Sequence, residues 1–149
     1  MDKNCNIEKT YCLYASDWHL TIMLLPFISK KLYEKDRVFM KFENSIEEKM
    51  KQLTSKLGFK NKDEINDIRW GMEINDDDES DNEKLYIVAG SKEYMEEMNR
   101  KIAEYYNDKD TKVKVINCFN IVNETDNCDA IGNGEYHSVL TTSGENVIN

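Results

Sequence analysis

Three apolar segments of this chain have the length of a β-strand, and each ends at a small polar cluster where a helical pattern begins. The three junctions fall at residues 11–17, 38–45 and 85–91. Repeated strand-to-helix units are typical of a parallel sheet with helices packed on it. At 149 residues, the chain has the usual length of one domain. We therefore predict a single α/β domain over residues 1–149: a three-layer, Rossmann-like or RecA-like fold with a mostly parallel sheet and one antiparallel hairpin.

The antiparallel hairpin is expected between two strands that flank an acidic loop. The strands are Ile68–Ile74 and Leu85–Ala89, and the acidic loop covers residues 75–84. Nothing between the strands has the pattern of a full crossover helix, which parallel pairing of consecutive strands usually needs. The C-terminal segment, residues 123–149, is polar and is expected to add one short edge strand at His137–Thr141.

The first predicted helix, Asp17–Glu34, is apolar on nearly all sides. Such a helix is expected to be buried, in part at an interface between copies of the chain, which leaves a homodimer open. Pro26 falls in the middle of this helix and is expected to kink it, because proline cannot donate the helical hydrogen bond.

The cysteines and the N-terminal sequence favour a cytoplasmic protein. Cys12 and Cys118 lie inside apolar segments, as buried free thiols do. No Cys-x-x-Cys pair is present, and the spacings of Cys and His match no zinc pattern. The chain begins with no signal-peptide pattern and has no apolar segment of membrane-spanning length. We expect neither a metal nor a cofactor.

The carboxyl ends of parallel strands share one edge of the sheet, where ligands usually bind in such folds. The polar residues that follow the three predicted strands should therefore face a common ligand. This predicted ligand-binding set comprises Ser16, Asp17, His19, Glu43, Asn44, Ser45, Gly90 and Ser91. The turn at Gly90 suits an anion best, because glycine permits close backbone approach and Lys92 supplies charge. The simpler interpretation is that these residues cap the helices that follow.

The sequence contains no clear catalytic motif. No Gly-x-x-x-x-Gly-Lys-Ser/Thr loop follows a strand, and no serine lies in a Gly-x-Ser-x-Gly elbow. Asp17 and Glu43 would share the ligand edge if the first two strands were neighbours, and could then hold a cation or serve acid–base chemistry. Together with His19, these two carboxylates would suit a small hydrolase or nuclease, but the sequence lacks a catalytic motif of either class. We therefore predict no catalytic residues.

The charge distribution supplies a second functional hypothesis. The net charge is −9, and residues 63–83 hold ten acidic side chains against one arginine. This excess argues against direct nucleic-acid binding, which needs Lys and Arg to displace phosphate counterions. The block could instead dock on a basic protein. In this alternative the chain is an acidic inhibitor, or an immunity or anti-defence protein, that binds its partner through Asp76, Asp77, Asp78 and Glu79.

Several segments resemble one family. The opening Tyr11–Asp17, the Leu-Leu-Pro-Phe-Ile step at residues 24–28 and the strand Arg37–Met40 are similar to the start of MEDS-type sensory domains. The tail from His137 to Val147 is similar to their closing segment. The resemblance implies a KaiC/RecA-like α/β fold and a signal-input role in bacterial regulators, and it supplies no catalytic residues. We therefore expect a small ligand-binding or sensory module that does not catalyse.

Overall fold

The computed structural model describes residues 7–34, 36–57, 68–71, 83–107, 109–121, 136–141 and 144–147. Short apolar segments form the strands, and the segments with helical periodicity form the helices. The strands are β1 (Ile7–Tyr14), β2 (Arg37–Phe42), β3 (Ile68–Trp70), β4 (Lys84–Ala89), β5 (Val113–Asn120), β6 (Ser138–Thr141) and β7 (Gly144–Val147). The helices are α1 (Asp17–Tyr33), α2 (Asn44–Leu57) and α3 (Lys92–Tyr105).

These strands form one sheet in the order β3-β2-β4-β5-β1-β6-β7. Every pairing is parallel except that of β6 with β7, which is antiparallel. The predicted mixed α/β fold with a mostly parallel sheet and one antiparallel pair is therefore confirmed, and the layout is Rossmann-like.

The predicted position of the antiparallel hairpin is wrong. Strand β2 lies between β3 and β4 and pairs parallel with both, so that Val38 is opposite Ile68 on one side and Leu85 on the other. Two features make this arrangement possible. Strand β2 is buried along almost its whole length and can pair at both edges, and the connection from β3 to β4 has about the dozen residues that a parallel crossover needs.

The helices cover both faces of the sheet and make three layers. Helices α1 and α2 pack on one face, here the α1 face, and α3 packs on the other, the α3 face. Because successive side chains of a strand point to opposite faces of the sheet, the side chains of β5 alternate between the α1 face and the α3 face. Its side chains Val113, Val115 and Asn117 lie on the α3 face, and Ile116 and Cys118 lie on the α1 face, as the alternation in the sequence predicts.

Within a single chain, α1 is buried on one side only. Its buried residues are Leu20, Thr21, Met23, Leu24, Ile28 and Leu32. The outward side leaves Trp18, Ile22 and Tyr33 exposed at 49%, 42% and 81%. The helix continues through Pro26, and a C-cap at Glu34 ends it. A helix on the outside of a sheet packs along one stripe only, so its outer apolar residues remain in contact with water.

A partly buried ion pair connects the central sheet to its edge on the α1 face. The Lys114 ammonium of β5 donates to both carboxylate oxygens of Glu145 in β7, at 2.8 and 2.7 Å. Ser138 and Thr10 also donate to Glu145, at 2.6 and 3.2 Å. A second carboxylate, that of Glu8, lies 3.3 Å from Lys114. This network holds β7 onto the sheet through side chains as well as through its pairing with β6.

The structure also bears on what the sequence predicts for the cysteines and for membrane-spanning segments. Cys12 and Cys118 are free, buried thiols opposite each other on β1 and β5, as predicted. Burial raises the pKa of Cys118 well above its ordinary value, so this thiol stays protonated and unreactive. No helix within the described ranges is both long and apolar enough to cross a membrane.

Candidate functional site

At the carboxyl end of β1, Ser16 and His19 satisfy the backbone of the turn into α1. The Ser16 hydroxyl accepts a hydrogen bond from the His19 backbone N–H at 3.1 Å, so Ser16 is the N-cap of α1. The backbone N–H of Ala15 donates to Nδ1 of His19 at 3.0 Å. A neutral imidazole that accepts at Nδ1 has its proton on Nε2. Both predicted site residues therefore already have a structural task.

Asp17 lies in the first turn of α1, where a carboxylate is favoured by the partial positive charge of the helix N-terminus. Its Oδ2 atom is 3.9 Å from the ammonium of Lys49 in α2, a lysine that is 69% exposed. An ion pair this exposed contributes little to stability. The capping interpretation therefore accounts for Asp17 without a ligand.

The turn after β4 meets the end of β2. Glu43 follows β2 directly, and its Oε1 atom accepts a hydrogen bond from the Ser91 backbone N–H at 2.8 Å. The Ser91 hydroxyl accepts from the Tyr94 backbone N–H at 3.2 Å and caps α3. The predicted anion position at the start of α3 is thus occupied by a carboxylate of the protein itself. Asn44 and Ser45 are the first two residues of α2, next to this turn.

Replacing Gly90 by alanine should destabilise this turn. An added Cβ would lie 2.7 Å from the Tyr94 ring and 2.9 Å from Oε1 of Glu43. Glu43 is held by its hydrogen bond from Ser91, so the added methyl group must displace this carboxylate and the Tyr94 ring, and we expect a loss of about 1–3 kcal/mol in the free energy of unfolding. Urea denaturation of Gly90→Ala measures the loss. A change below about 0.5 kcal/mol would show that Glu43 and Tyr94 move aside freely.

Tyr94 places a buried hydroxyl beside the same turn. Its hydroxyl oxygen is the one buried side-chain polar atom without a hydrogen-bond partner in the described part of the chain. Burial, with the negative charges of Glu47 and Glu43, raises the pKa of Tyr94 to about 12. The side chain is therefore a neutral phenol at physiological pH.

The carboxyl edge contains two separate groups of predicted site residues and not one. Strands β4 and β5 lie between β2 and β1, and three strand spacings amount to roughly 14 Å. The condition for an Asp17–Glu43 carboxylate pair, that their strands are neighbours, is not met. Helices α2 and α3 leave β2 and β4 on opposite faces, and ligands often bind at such a divergence in other folds. Here Glu43 fills the position.

A concave site lies elsewhere, on the α3 face. This cleft, here the α3 cleft, has a volume of about 330 Å³. Its floor is formed by the amino-terminal halves of β1 and β5, one wall by α3, and the other by the residue before β6. The lining residues are Ile7, Lys9, Asn99, Ile102, Ala103, Val115 and His137. The volume is at the lower end of the range found for small-molecule sites, and the mixture of apolar walls with a few polar groups is typical of them.

His137 is fixed at the mouth of the α3 cleft by β1. The backbone N–H of Lys9 donates to Nδ1 of His137 at 3.2 Å, and the backbone N–H of His137 donates to the Lys9 carbonyl at 2.8 Å. With Nδ1 used as an acceptor, the neutral ring has its proton on Nε2. The imidazole of His137, which is one of the lining residues of the cleft, is thus held in one orientation.

Asn99 forms the polar part of the α3 wall and is held by a network behind it. Its side-chain amide donates to the Asn117 carbonyl oxygen at 2.8 Å, and the Asn117 amide donates back at 3.1 Å. Asn117 is buried and also donates to the Tyr136 hydroxyl at 3.1 Å. This network connects α3 to β5 beside the cleft.

Sequence reasoning missed this site. Lys9, Asn99 and His137 come from distant segments, and His137 forms its bond to a residue 128 positions away. No motif joins such residues, and the sequence interpretation assigned no role to any of them. The predicted partner-binding residues Asp76, Asp77, Asp78 and Glu79 lie outside the described residues. Among the described residues, no three His, Cys, Asp or Glu side chains are grouped closely enough to hold a metal ion.

Comparisons with models of protein families, with curated proteins and with solved structures find no match to this chain. The resemblance to MEDS-type domains therefore stays a prediction from the sequence.

Proposed function

We propose that the protein is a small-molecule-binding module whose ligand occupies the α3 cleft, and that the ligand is a largely apolar molecule with one hydrogen-bond acceptor. The observation that carries the proposal is the cleft itself: four of its lining side chains, Ile7, Ile102, Ala103 and Val115, are aliphatic. Burial of an apolar ligand against them contributes roughly 25 cal/mol for each Å² removed from water.

The polar groups of the cleft support the choice of ligand. Nε2 of His137 is a donor whose direction is set by the bond from Lys9 to Nδ1. The amide of Asn99 is engaged with Asn117 and with the Met95 carbonyl. A carbonyl or carboxylate oxygen on the ligand is the group that suits the His137 donor. Because that donor is preorganised, binding does not have to restrict its rotation.

The carboxyl edge is less suitable as a ligand site than the α3 cleft is. Ser16, Ser91 and Glu43 use their side-chain oxygens on backbone N–H groups of the protein. A ligand bound there would have to displace these bonds. A sensory role in a regulator, a cytoplasmic location and the absence of catalysis remain predictions that this proposal inherits from the sequence. The acidic-inhibitor alternative concerns residues 76–79 and remains a prediction as well.

Binding of 1-anilinonaphthalene-8-sulfonate tests the proposal, because this fluorescent anion combines an apolar body with acceptor oxygens. We expect saturable binding to the native protein, weakened at least about tenfold in Ala103→Phe, whose ring fills the cleft; this is about 1.4 kcal/mol. Ala103 faces the cleft, whereas Glu104 is exposed on the same helix, so Glu104→Phe is the matched control and should bind normally.

Circular dichroism in the near ultraviolet must be unchanged in both variants, because partly folded proteins also bind this dye. Equal binding by Ala103→Phe and the unmodified protein would reject the α3 cleft. Binding that is lost instead in Ser16→Ala or Ser91→Ala would place the ligand at the carboxyl edge.

A further inference from the structure

Three sulfur-containing side chains from three different elements converge in the core on the α1 face. Cys12 of β1 and Cys118 of β5 are register partners on neighbouring strands, and both side chains belong to the core on this face. Met23 of α1 lies against Cys12, whose thiol donates to the Met23 Sδ atom at 3.9 Å. The pKa of Cys118 is raised first by burial and then by its hydrogen bond with Cys12, so the two thiol groups are neighbours. These three residues are here the three-sulfur site.

The spacing and the surroundings of the three-sulfur site suit a soft metal ion. An ion about 2.3 Å from each of three sulfur atoms holds these atoms about 4 Å apart, close to the separation of the Cys12 and Met23 sulfur atoms. Thiolate and thioether ligands together select soft ions such as Cu(I). Cys12, Cys118 and Met23 are exposed at only 0%, 1% and 4%, so water does not compete with the sulfur atoms for an ion.

We propose that the three-sulfur site binds one Cu(I) ion, with the thiolates of Cys12 and Cys118 and the thioether of Met23 as its ligands. Without the ion, the Cys118 thiol stays protonated. Each thiol that coordinates the ion releases its proton to solvent, so two thiolates and one Cu(I) form a complex with a single negative charge. The sequence-based expectation of no metal compared the spacings of Cys and His with zinc patterns, and such patterns do not include a methionine ligand.

The available ligands favour Cu(I) over Zn(II). A divalent ion would neutralise both thiolates, which is an advantage in a buried site. A structural zinc ion, however, takes four ligands from Cys, His and carboxylate side chains. Within the ranges that the structure describes, not even three such side chains are grouped closely enough for a metal. The third donor here is a thioether, which suits Cu(I) and not zinc.

Burial also determines how the ion enters the three-sulfur site. Because the site is sealed between the sheet and α1, the ion has to bind while these elements are apart. Binding is then coupled to folding, and a bound ion stabilises the native state. The site lies on the α1 face, so this inference is independent of the α3 cleft on the opposite face of the sheet.

Refolding of the full chain from urea in the presence of Cu(I), under reducing conditions without oxygen, tests the proposal. The ion is supplied as its coloured complex with bicinchoninate, so transfer to the protein is measured as loss of colour. A Cys5→Ser/Cys128→Ser background removes the two cysteines that lie outside the described residues. We expect this background to bind one Cu(I) per chain and to unfold at a higher urea concentration with the ion than without it.

Three variants of this background test the ligands. Met23→Leu conserves the side-chain volume and should weaken Cu(I) binding at least about tenfold, and Cys12→Ala should weaken it at least about a hundredfold. Met98→Leu is the matched control, because Met98 is equally buried but lies on the α3 face. It should bind Cu(I) as the background does. Circular dichroism checks that each variant is folded.

The contrary outcomes are equally definite. No transfer of Cu(I) to the background protein overturns the proposal. Equal weakening by Met23→Leu and Met98→Leu, or no weakening by Met23→Leu, removes the thioether from the site and overturns the three-sulfur arrangement. Tighter binding of Zn(II) than of Cu(I) by the refolded background protein overturns the choice of ion.

Discussion

Replacing Glu145 by leucine is expected to lower the free energy of unfolding by about 3–5 kcal/mol, the largest effect of any substitution considered for this protein. The reason is the environment of Lys114, whose side chain is only 8% exposed and whose ammonium is bound mainly by Glu145. Without that carboxylate, a buried positive charge is left with Glu8, which is itself 49% exposed. Ser138 and Thr10 also lose the carboxylate as an acceptor, and only the 2.6 Å hydrogen bond between their two hydroxyls remains.

Two further variants distinguish a buried charge from a general loss of packing. The double variant Lys114→Met/Glu145→Leu removes both charges and should regain most of the lost stability, because apolar replacement of a whole buried pair is often neutral. Glu8→Gln alters only the exposed member of the cluster and should change stability by less than about 1 kcal/mol. Urea denaturation measures all three. A Glu145→Leu loss below about 1 kcal/mol would mean that Lys114 reaches water in the variant.

The same pair predicts how stability depends on pH. Burial alone would raise the pKa of Glu145, but the hydrogen bonds from Lys114 and Ser138 outweigh it and hold this pKa below its usual 4.5. Burial alone would lower the pKa of Lys114, but the bond to Glu145 outweighs it and raises this pKa above 10.5. The Glu145 carboxylate therefore adds stability above pH 4.5, and this stability is lost as the pH falls through the depressed pKa. The Lys114 ammonium adds stability below pH 10.5, and this stability is lost as the pH rises through the elevated pKa. The difference between the unmodified protein and Glu145→Leu should shrink below pH 4.5.

Replacing Asn117 by alanine is the second large effect, and we expect it to lower the free energy of unfolding by about 2–4 kcal/mol. Asn117 is buried in the centre of the sheet and exchanges two hydrogen bonds with Asn99. Alanine leaves the Asn99 carbonyl oxygen without its partner and creates a cavity between β5 and α3. Because Asn99 lines the α3 cleft, binding of the fluorescent anion should weaken in the same variant.

Tyr136→Phe is the matched control for this network. It removes only the hydroxyl that accepts from Asn117 at 3.1 Å and keeps the ring, which packs edge-on against Tyr11 and Phe119. The pair of bonds between Asn117 and Asn99 remains, so the loss should be about 1 kcal/mol. Equal losses in Asn117→Ala and Tyr136→Phe, measured by thermal and urea denaturation, would show that the Asn99 bonds contribute nothing.

Short-range features of this protein could be predicted from the sequence because they depend on neighbours along the chain. The strand-to-helix junctions, the serine caps at Ser16 and Ser91 and the two faces of β5 all follow from periodicity and from hydrogen bonds that span three or four residues. The burial of Cys12 and Cys118 follows in the same way from their apolar surroundings.

The order of the strands in the sheet could not be predicted from the sequence. Several strands are apolar enough to be central, and nothing in the local pattern states that β2 separates β3 from β4 or that β4 and β5 separate β2 from β1. The misplaced hairpin and the expected proximity of Asp17 to Glu43 both arose from assuming that consecutive strands are neighbours. Pairing of strands is decided by the burial of whole faces and by the length of the connections.

By itself, the amino-acid sequence determined the class of fold, the positions of its helices and of most strands along the chain, and the residues that cap the helices, since these depend on backbone preferences and on side-chain periodicity. It did not predict β7. Only the tertiary structure decided that Glu43 closes the start of α3, that Lys114 is paired with Glu145, and that His137 meets Lys9 beside the α3 cleft. These contacts join distant segments through packing of the whole sheet, and no local physical preference encodes them.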